Sequence, residues 1–310
     1  MSFSRDVKKE ISSVFDTGRH CCIAELAALL NSCGRITHTE SGPTILLKTE
    51  NPYTADKFTA LVQQSFGKAD DCIPKNEART AKQAMYTVSV VDSTVARALL
   101  WATGILDKST GKVTKRIDPL IINRSCCKRA CIRGAFLGSG SISRPDKAYH
   151  LEFLTAEEPY AKQLSMVLQS FDVEPKSVVR KGYHIVYFKK SEEISDVLKI
   201  IGANTSTMAF ENQRVAKDVE NTINRVANCM AVNADKTVVA AVRQMEDIEL
   251  IRQRSGLDSL PPSLAEIAEI RINNPIISLK EIGELLNPPV GKSGVNHRLR
   301  KISQIADGLR

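Results

Sequence analysis

The sequence lacks any run of the roughly 18 apolar residues that a membrane-spanning helix needs. No apolar stretch of the kind found in a signal peptide follows the opening Met1-Ser2-Phe3-Ser4-Arg5-Asp6. Histidine is scarce, at five, and none of the eight cysteines forms a C-x-x-C pair, so a zinc site has weak support. Cys21, Cys22, Cys33, Cys72, Cys126, Cys127, Cys131 and Cys229 are expected as buried, reduced thiols that pack as small hydrophobes, with no metal and no cofactor. A disulfide framework would need an oxidising compartment. Together these absences lead to the expectation of a soluble, cytoplasmic chain without membrane attachment.

What is present is the composition of a globular protein. The 310 residues are 43% hydrophobic and 25% charged, enough to bury a core and long enough for more than one domain. The formal charge of +8 favours polyanionic partners, nucleic acid first. The basic excess is uneven. Nine Lys/Arg stand against Asp118 and Asp146 between Lys112 and Lys147, and five stand against Asp307 between Gly291 and Arg310. Two islands imply two contact surfaces.

A repeat organises the first two thirds. Ala27-Ala28-Leu29-Leu30-Asn31-Ser32-Cys33-Gly34-Arg35-Ile36 resembles Arg133-Gly134-Ala135-Phe136-Leu137-Gly138-Ser139-Gly140-Ser141-Ile142, offset by 106 residues. Downstream, Thr49-Glu50-Asn51-Pro52-Tyr53 matches Thr155 to Tyr160, and Gln64-Ser65-Phe66 matches Gln169-Ser170-Phe171. The β-branched and aromatic runs 86–90 and 183–188 read as strands. Ser93 and Ser191 read as N-caps of the helices that follow. Each unit thus reads helix, strand, strand, helix, strand, strand, helix. The small residues Ala27, Ala28, Gly134 and Ala135 allow two helices to approach closely at a pseudo-twofold axis flanked by two antiparallel sheets.

This duplicated helix followed by Gly-x-Ile resembles the LAGLIDADG homing-endonuclease fold. The whole chain resembles the WhiA family, which joins such a domain to a C-terminal helix-turn-helix. The stretch Arg129 to Ser141 and the tail carry that likeness, which spans essentially the full length. The resemblance implies an α+β fold: a duplicated αββαββα domain over residues 1–205 (repeats about 1–103 and 120–205), a helical linker over 206–255, and an all-α helix-turn-helix over 256–310. It also implies where chemistry has been lost. Active homing endonucleases hold a divalent metal on an acid just before the motif glycine, and here Cys33 and Ser139 occupy those positions. The positions two residues earlier are Asn31 and Leu137. A hard metal ion needs oxygen ligands, so no catalytic residue and no nuclease activity are expected. Lys112, Lys115, Arg116, Arg124, Lys128, Arg129 and Arg133, beside the second motif, offer auxiliary DNA contacts, with dimerisation or docking of a second regulatory protein as the other use of this domain.

Residues 204–254 form a long stretch without Pro, broken by no Gly, with Val238, Val239, Ala241, Val242, Met245, Ile248 and Ile251 at helical spacing, expected to pack on neighbouring elements. Beyond Gly256-to-Pro262, both Ser263-Leu264-Ala265-Glu266 and Ser278-Leu279-Lys280-Glu281 have the form of a capping box. The second opens a helix with Leu279, Ile282, Leu285 and Leu286 inward, stopped at Asn287-Pro288-Pro289. A third helix begins near Ser293. Projected at about 100° per residue, Val295, Leu299, Ile302, Ala306 and Leu309 share one face within roughly 40°. Ser293, Asn296, His297, Arg300, Lys301 and Gln304 share the opposite face, and no acid interrupts residues 293–304. That division suits a major-groove helix: Arg300, His297 and Asn296 toward base edges, Lys292, Ser293 and Lys301 toward phosphates. The expected function is sequence-specific binding of double-stranded DNA by a nucleoid-associated transcriptional regulator; the family resemblance adds sporulation or cell division and chromosome segregation. The alternatives are a division protein acting through DNA-backbone or protein binding, and a surviving endonuclease.

Overall fold

The computed structural model describes residues 2–40, 42–67, 75–80, 83–107, 110, 112–114 and 116–310, with the side chains of 75–80, 83 and 232 outside the description. The chain divides into two compact units, Met1–Lys217 and Asp218–Arg310.

The first unit opens with α1 (Phe3–Ser12), followed by one complete repeat: α2 (Arg19–Cys33), β1 (Gly34–Thr39), β2 (Gly42–Thr49), α3 (Pro52–Phe66), β3 (Lys75–Thr80), β4 (Gln83–Val90) and α4 (Ser93–Ala102). The second repeat has the same order: α5 (Ser125–Ser139), β5 (Gly140–Ile142), β6 (Leu151–Thr155), α6 (Glu158–Gln169), β7 (Lys176–Arg180), β8 (Tyr183–Phe188) and α7 (Ser191–Ile201). Each repeat forms one four-stranded antiparallel sheet, ordered β1-β2-β4-β3 and β5-β6-β8-β7. The duplication read from the sequence is therefore a duplication of topology as well.

Helices α2 and α5 form the axis, and their closeness has a steric basis. A Cβ on Gly134 would lie 2.4 Å from the Glu25 carbonyl oxygen, and one on Gly138 would lie 2.6 Å from Ser32 Cβ. Only glycine permits that approach. Ala27, Ala28 and Ala135 are fully buried around the crossing. Each repeat also reaches across to the other's helix: Thr54 donates to the Leu137 carbonyl at 3.0 Å, and Tyr160 donates to the Ala28 carbonyl at 3.4 Å. One continuous core, including Leu26, Phe58, Phe136 and Phe153, fills the space between the helices and both sheets.

Several local expectations are corrected. Asp92, not Ser93, caps α4, accepting from the Thr94 and Val95 amides, because the carboxylate precedes the serine by the one residue that capping geometry requires. Ser191 lies inside α7, whose N-cap is Lys190. The start of α8 (Asn204–Arg254) is capped from a distance: the Glu10 carboxylate accepts from the Thr205 and Ser206 amides at 2.6 and 2.8 Å.

In the second unit, the last part of α8 packs with α9 (Pro262–Asn273), α10 (Leu279–Leu285) and α11 (Lys292–Asp307). The apolar stripe of α8 is buried only toward its end. Ala241, Ile248 and Ile251 are covered, whereas Val238, Val239 and Val242 are exposed, since the three short helices are grouped along the end of the stripe. None of the described helices is long and apolar enough to cross a membrane.

Candidate nucleic-acid interface

The helix-turn-helix is assembled from its caps inward. At α10, Ser278 Oγ accepts from the Glu281 amide at 3.3 Å while the Glu281 carboxylate accepts from the Ser278 amide at 2.7 Å, the reciprocal capping box read from the sequence. Those bonds hold the Glu281 carboxyl below the usual carboxylate range. The counterpart at Ser263 does not form. Helix α9 begins at Pro262 with Pro261 as its cap, which places Ser263 inside the first turn, and Glu266 instead accepts from the Asn287 amide at 3.1 Å. Of the α10 residues expected inward, Ile282 and Leu286 are buried, Leu279 is partly covered, and Leu285 turns outward, 55% exposed.

The turn into α11 is tight because α10 carries Gly283. Its carbonyl accepts from the Val290 amide at 2.9 Å, and a Cβ there would lie 2.0 Å from the Val290 carbonyl oxygen. Helix α11 then buries Val295, Leu299, Ile302 and Ala306, the face expected from its periodicity, with Leu309 partly covered. Its far end is fixed to α8 by the fully buried Asp247, which accepts from Ser303 Oγ at 2.6 Å and from Arg310 at 2.5 Å. Arg310 also pairs with Asp307, so the one acid of the helix is matched locally.

Lys292, Ser293, His297, Arg300, Lys301 and Gln304 are exposed, and Asn296 is half-buried. Asn296 and Lys292 line a cavity of about 660 Å³ together with Lys236 of α8, Arg271 and Lys280. Arg271 is 2% exposed; it donates to the Pro275 and Ile277 carbonyls and leaves Nε without a partner. Four cationic side chains thus surround the start of α11. Charge patterning had marked Lys292 but not Lys236, Arg271 or Lys280, which lie on three other elements and meet only in the fold.

The basic residues of the first unit behave differently. Lys112, Arg116, Arg124 and Arg129 are exposed, Lys128 is half-buried, and Lys115 lies outside the described residues. Arg129 lies over the Phe171 ring, 5.0 Å from its centroid. Arg133 is withdrawn from the DNA-contact set. It is 3% exposed, donates to Glu25 at 3.1 and 3.2 Å, and pairs with Asp16, while Lys57 approaches Glu25 at 3.6 Å. Burial pushes the Glu25 carboxyl up, and Arg133 and Lys57 pull it back. Arg133 faces the partner helix because it lies one residue before Gly134, where the helices touch.

The glycine ends of α2 and α5 carry no carboxylate. Cys33 donates to the Leu29 carbonyl, and burial pushes its thiol up to about 12; Ser139 Oγ donates to the Ala135 carbonyl. Lys8 of α1 is an electrostatic neighbour of Cys33 and Glu50, with its ammonium pulled down to about 8 by burial. The residue before each motif glycine is thus a neutral thiol or hydroxyl, with Lys8 as a charged neighbour of the first.

At the opposite ends of the same helices lies a group that sequence reasoning passed over. His20 and Cys21 from α2 and Cys126 and Cys127 from α5 place Nδ1 and three Sγ atoms within 4.8 Å of one another. Their signal was the repeat itself, since the offset of 106 carries His20 onto Cys126 and Cys21 onto Cys127.

Comparison with known proteins follows this division. Residues 19–106 match the WhiA N-terminal LAGLIDADG-like domain, residues 128–220 the WhiA LAGLIDADG-like domain, and residues 223–306 the WhiA C-terminal HTH domain. A protein from Lachnoclostridium phytofermentans described as "Probable cell division protein WhiA" is 45% identical, with all of both chains covered. One from Clostridium beijerinckii with the same description is 44% identical over all of this chain and 99% of its own. The crystal structure of full-length DUF199/WhiA from Thermatoga maritima shares the fold, with a TM-score of 0.62 at 23% identity over 99% of this chain and 98% of that one. With three domain models matched in order and relatives this similar along their whole length, the chain belongs to the WhiA family.

Proposed function

We propose that this protein is a sequence-specific DNA-binding regulator that reads duplex DNA through α11 and has no nuclease activity. One observation carries the reading: α11 anchors one face in a core and presents the other, without an acid from Ser293 to Gln304, beside four cationic side chains. Arg300, His297 and Asn296 address base edges from that face, and Gln304 extends it. Lys292, Ser293 and Lys301 hold the phosphates, joined by Lys236 and Lys280. The missing carboxylates at positions 33 and 139 support the absence of hydrolysis.

Within this reading residues 1–205 serve as a scaffold, 206–255 as a connecting arm and 256–310 as the reader. The exposed Lys112, Arg116, Arg124 and Arg129, with the half-buried Lys128, provide auxiliary backbone contacts or a surface for a second regulatory protein. The description of relatives as probable cell division proteins supports a role in division.

In vitro selection from random duplex DNA with the full-length chain at physiological salt tests the proposal. Recovery of one motif, lost on Arg300→Ala, is expected. Binding without a motif would move the function to the DNA backbone, and absence of binding would leave a division protein acting through protein contacts. Cleavage of plasmid DNA in Mg²⁺ by the wild type would overturn the non-nuclease assignment.

A further inference from the structure

We propose that His20, Cys21, Cys126 and Cys127 form a mononuclear site for a tetrahedral divalent cation of the zinc class, one that ties the N-terminal ends of α2 and α5 together. The argument begins with position. Each pair occupies the second and third residues of its helix, and because the two helices cross at a pseudo-twofold axis, equivalent residues of the two repeats converge. His20 Nδ1 lies 3.2 Å from both Cys21 Sγ and Cys127 Sγ, and all four donor atoms lie within 4.8 Å of one another. Around a tetrahedral zinc with bonds of about 2.0–2.3 Å, donor atoms are separated by roughly 3.5–3.8 Å, so only small adjustments close the shell.

The donor set fits the same class of ion. Three sulfurs and one imidazole suit zinc and disfavour magnesium or calcium, which need oxygen. The compactness of the group excludes an iron–sulfur cluster, whose several iron and sulfide atoms would have to lie between the thiolates. Neither helix start has a side-chain cap, which leaves the positive dipole ends of both helices beside the donors, and Arg19 and Arg124 border the adjoining cavity. The imidazole is oriented by what lies behind it. A Cβ at position 18 would come 2.7 Å from His20 Nε2, so Gly18 leaves room for the ring to turn Nδ1 toward the sulfurs. Cys21 and Cys127 are buried, while His20 and Cys126 are exposed and give the ion its entry.

The test uses the full-length protein purified under reducing conditions, stripped with chelator and reloaded with Zn²⁺ or Co²⁺. The proposal expects one zinc per chain by elemental analysis. With Co²⁺ it expects the strong visible bands of a tetrahedral ion and a thiolate charge-transfer band. Cys126→Ser and His20→Ala, both at exposed positions, should weaken zinc affinity by about a hundredfold or more, since removal of even a supporting residue costs 10–100-fold. Cys229→Ser, on α8, should leave loading unchanged. Chelator should lower the Tm of the wild type but not of the two site variants, a readout that holds if the doubly substituted Cys126→Ser/Cys127→Ser chain fails to fold. Zinc retained undiminished in the site variants, no stoichiometric metal after reloading, or an intact mass showing a disulfide among these cysteines under the same reducing conditions would each overturn it.

Discussion

In α5 the guanidinium of Arg133 is enclosed between Glu25 and Asp16, whereas in α11 that of Arg300 stands in solvent above a face of buried aliphatic residues. Both helices are basic in sequence. The difference comes from what each helix meets. Helix α5 packs against a second helix of small residues and is covered by α1, α6 and α7, so its central residues are enclosed on every side. A charge there must be matched internally, because an isolated ion in a low-dielectric core costs several kcal/mol. Helix α11 is covered on one side only, so its charges stay hydrated and available to a polyanion. A count of basic residues along the chain therefore measures the supply of charge, not its destination.

Substitutions sharpen that contrast, beginning with the most damaging. Arg133→Ala should reduce unfolding free energy by about 3 kcal/mol in chemical denaturation, since it leaves Glu25 in the core with Lys57 alone, at 3.6 Å, and without its hydrogen-bond donors. The triple change Glu25→Leu, Lys57→Met and Arg133→Met should recover much of it, because Glu25 also answers the buried Lys57; a stability no better than that of the single variant would mean that the network is more than charge balance. Arg300→Ala should leave Tm unchanged and remove about 1–3 kcal/mol of discrimination between cognate and altered sites, measured by competition binding. An equal loss on every sequence would reassign Arg300 to the backbone. Ser278→Ala should cost about 1 kcal/mol of second-unit stability through the lost cap, while Ser263→Ala should cost little, because that serine caps nothing. Lys292→Ala should weaken binding uniformly and reduce the salt slope by about 1, the smallest change and the one that separates phosphate from base contacts.

The fold was legible where two independent signals coincided. The repeat was visible because helix, glycine and strand recur in order, and α11 because five apolar residues share one face. Legibility failed where a single local pattern competed with a neighbour. Ser263 and Ser93 both look like caps, yet proline at 261–262 and Asp92 set the helix starts one or two residues earlier than a serine cap would. Arg133 looked like part of a basic patch because its acidic partners, Glu25 and Asp16, lie more than a hundred residues away in sequence. The His20 and cysteine group escaped for the same reason: within each helix the donors are adjacent pairs, and no local spacing announces a site that only the crossing of two helices completes. The stripe of α8 was legible as a helix face but not in its extent of burial, which depends on where α9 to α11 lie along it.

Lys8 bears on what an acid at position 33 would meet. Its ammonium, half-buried and an electrostatic neighbour of Cys33, would pair with a carboxylate placed there. Such an acid would find its positive charge without a metal, and position 139 would still offer only a hydroxyl. The lysine thus decides in advance what a new negative charge at this helix end is used for: an internal ion pair.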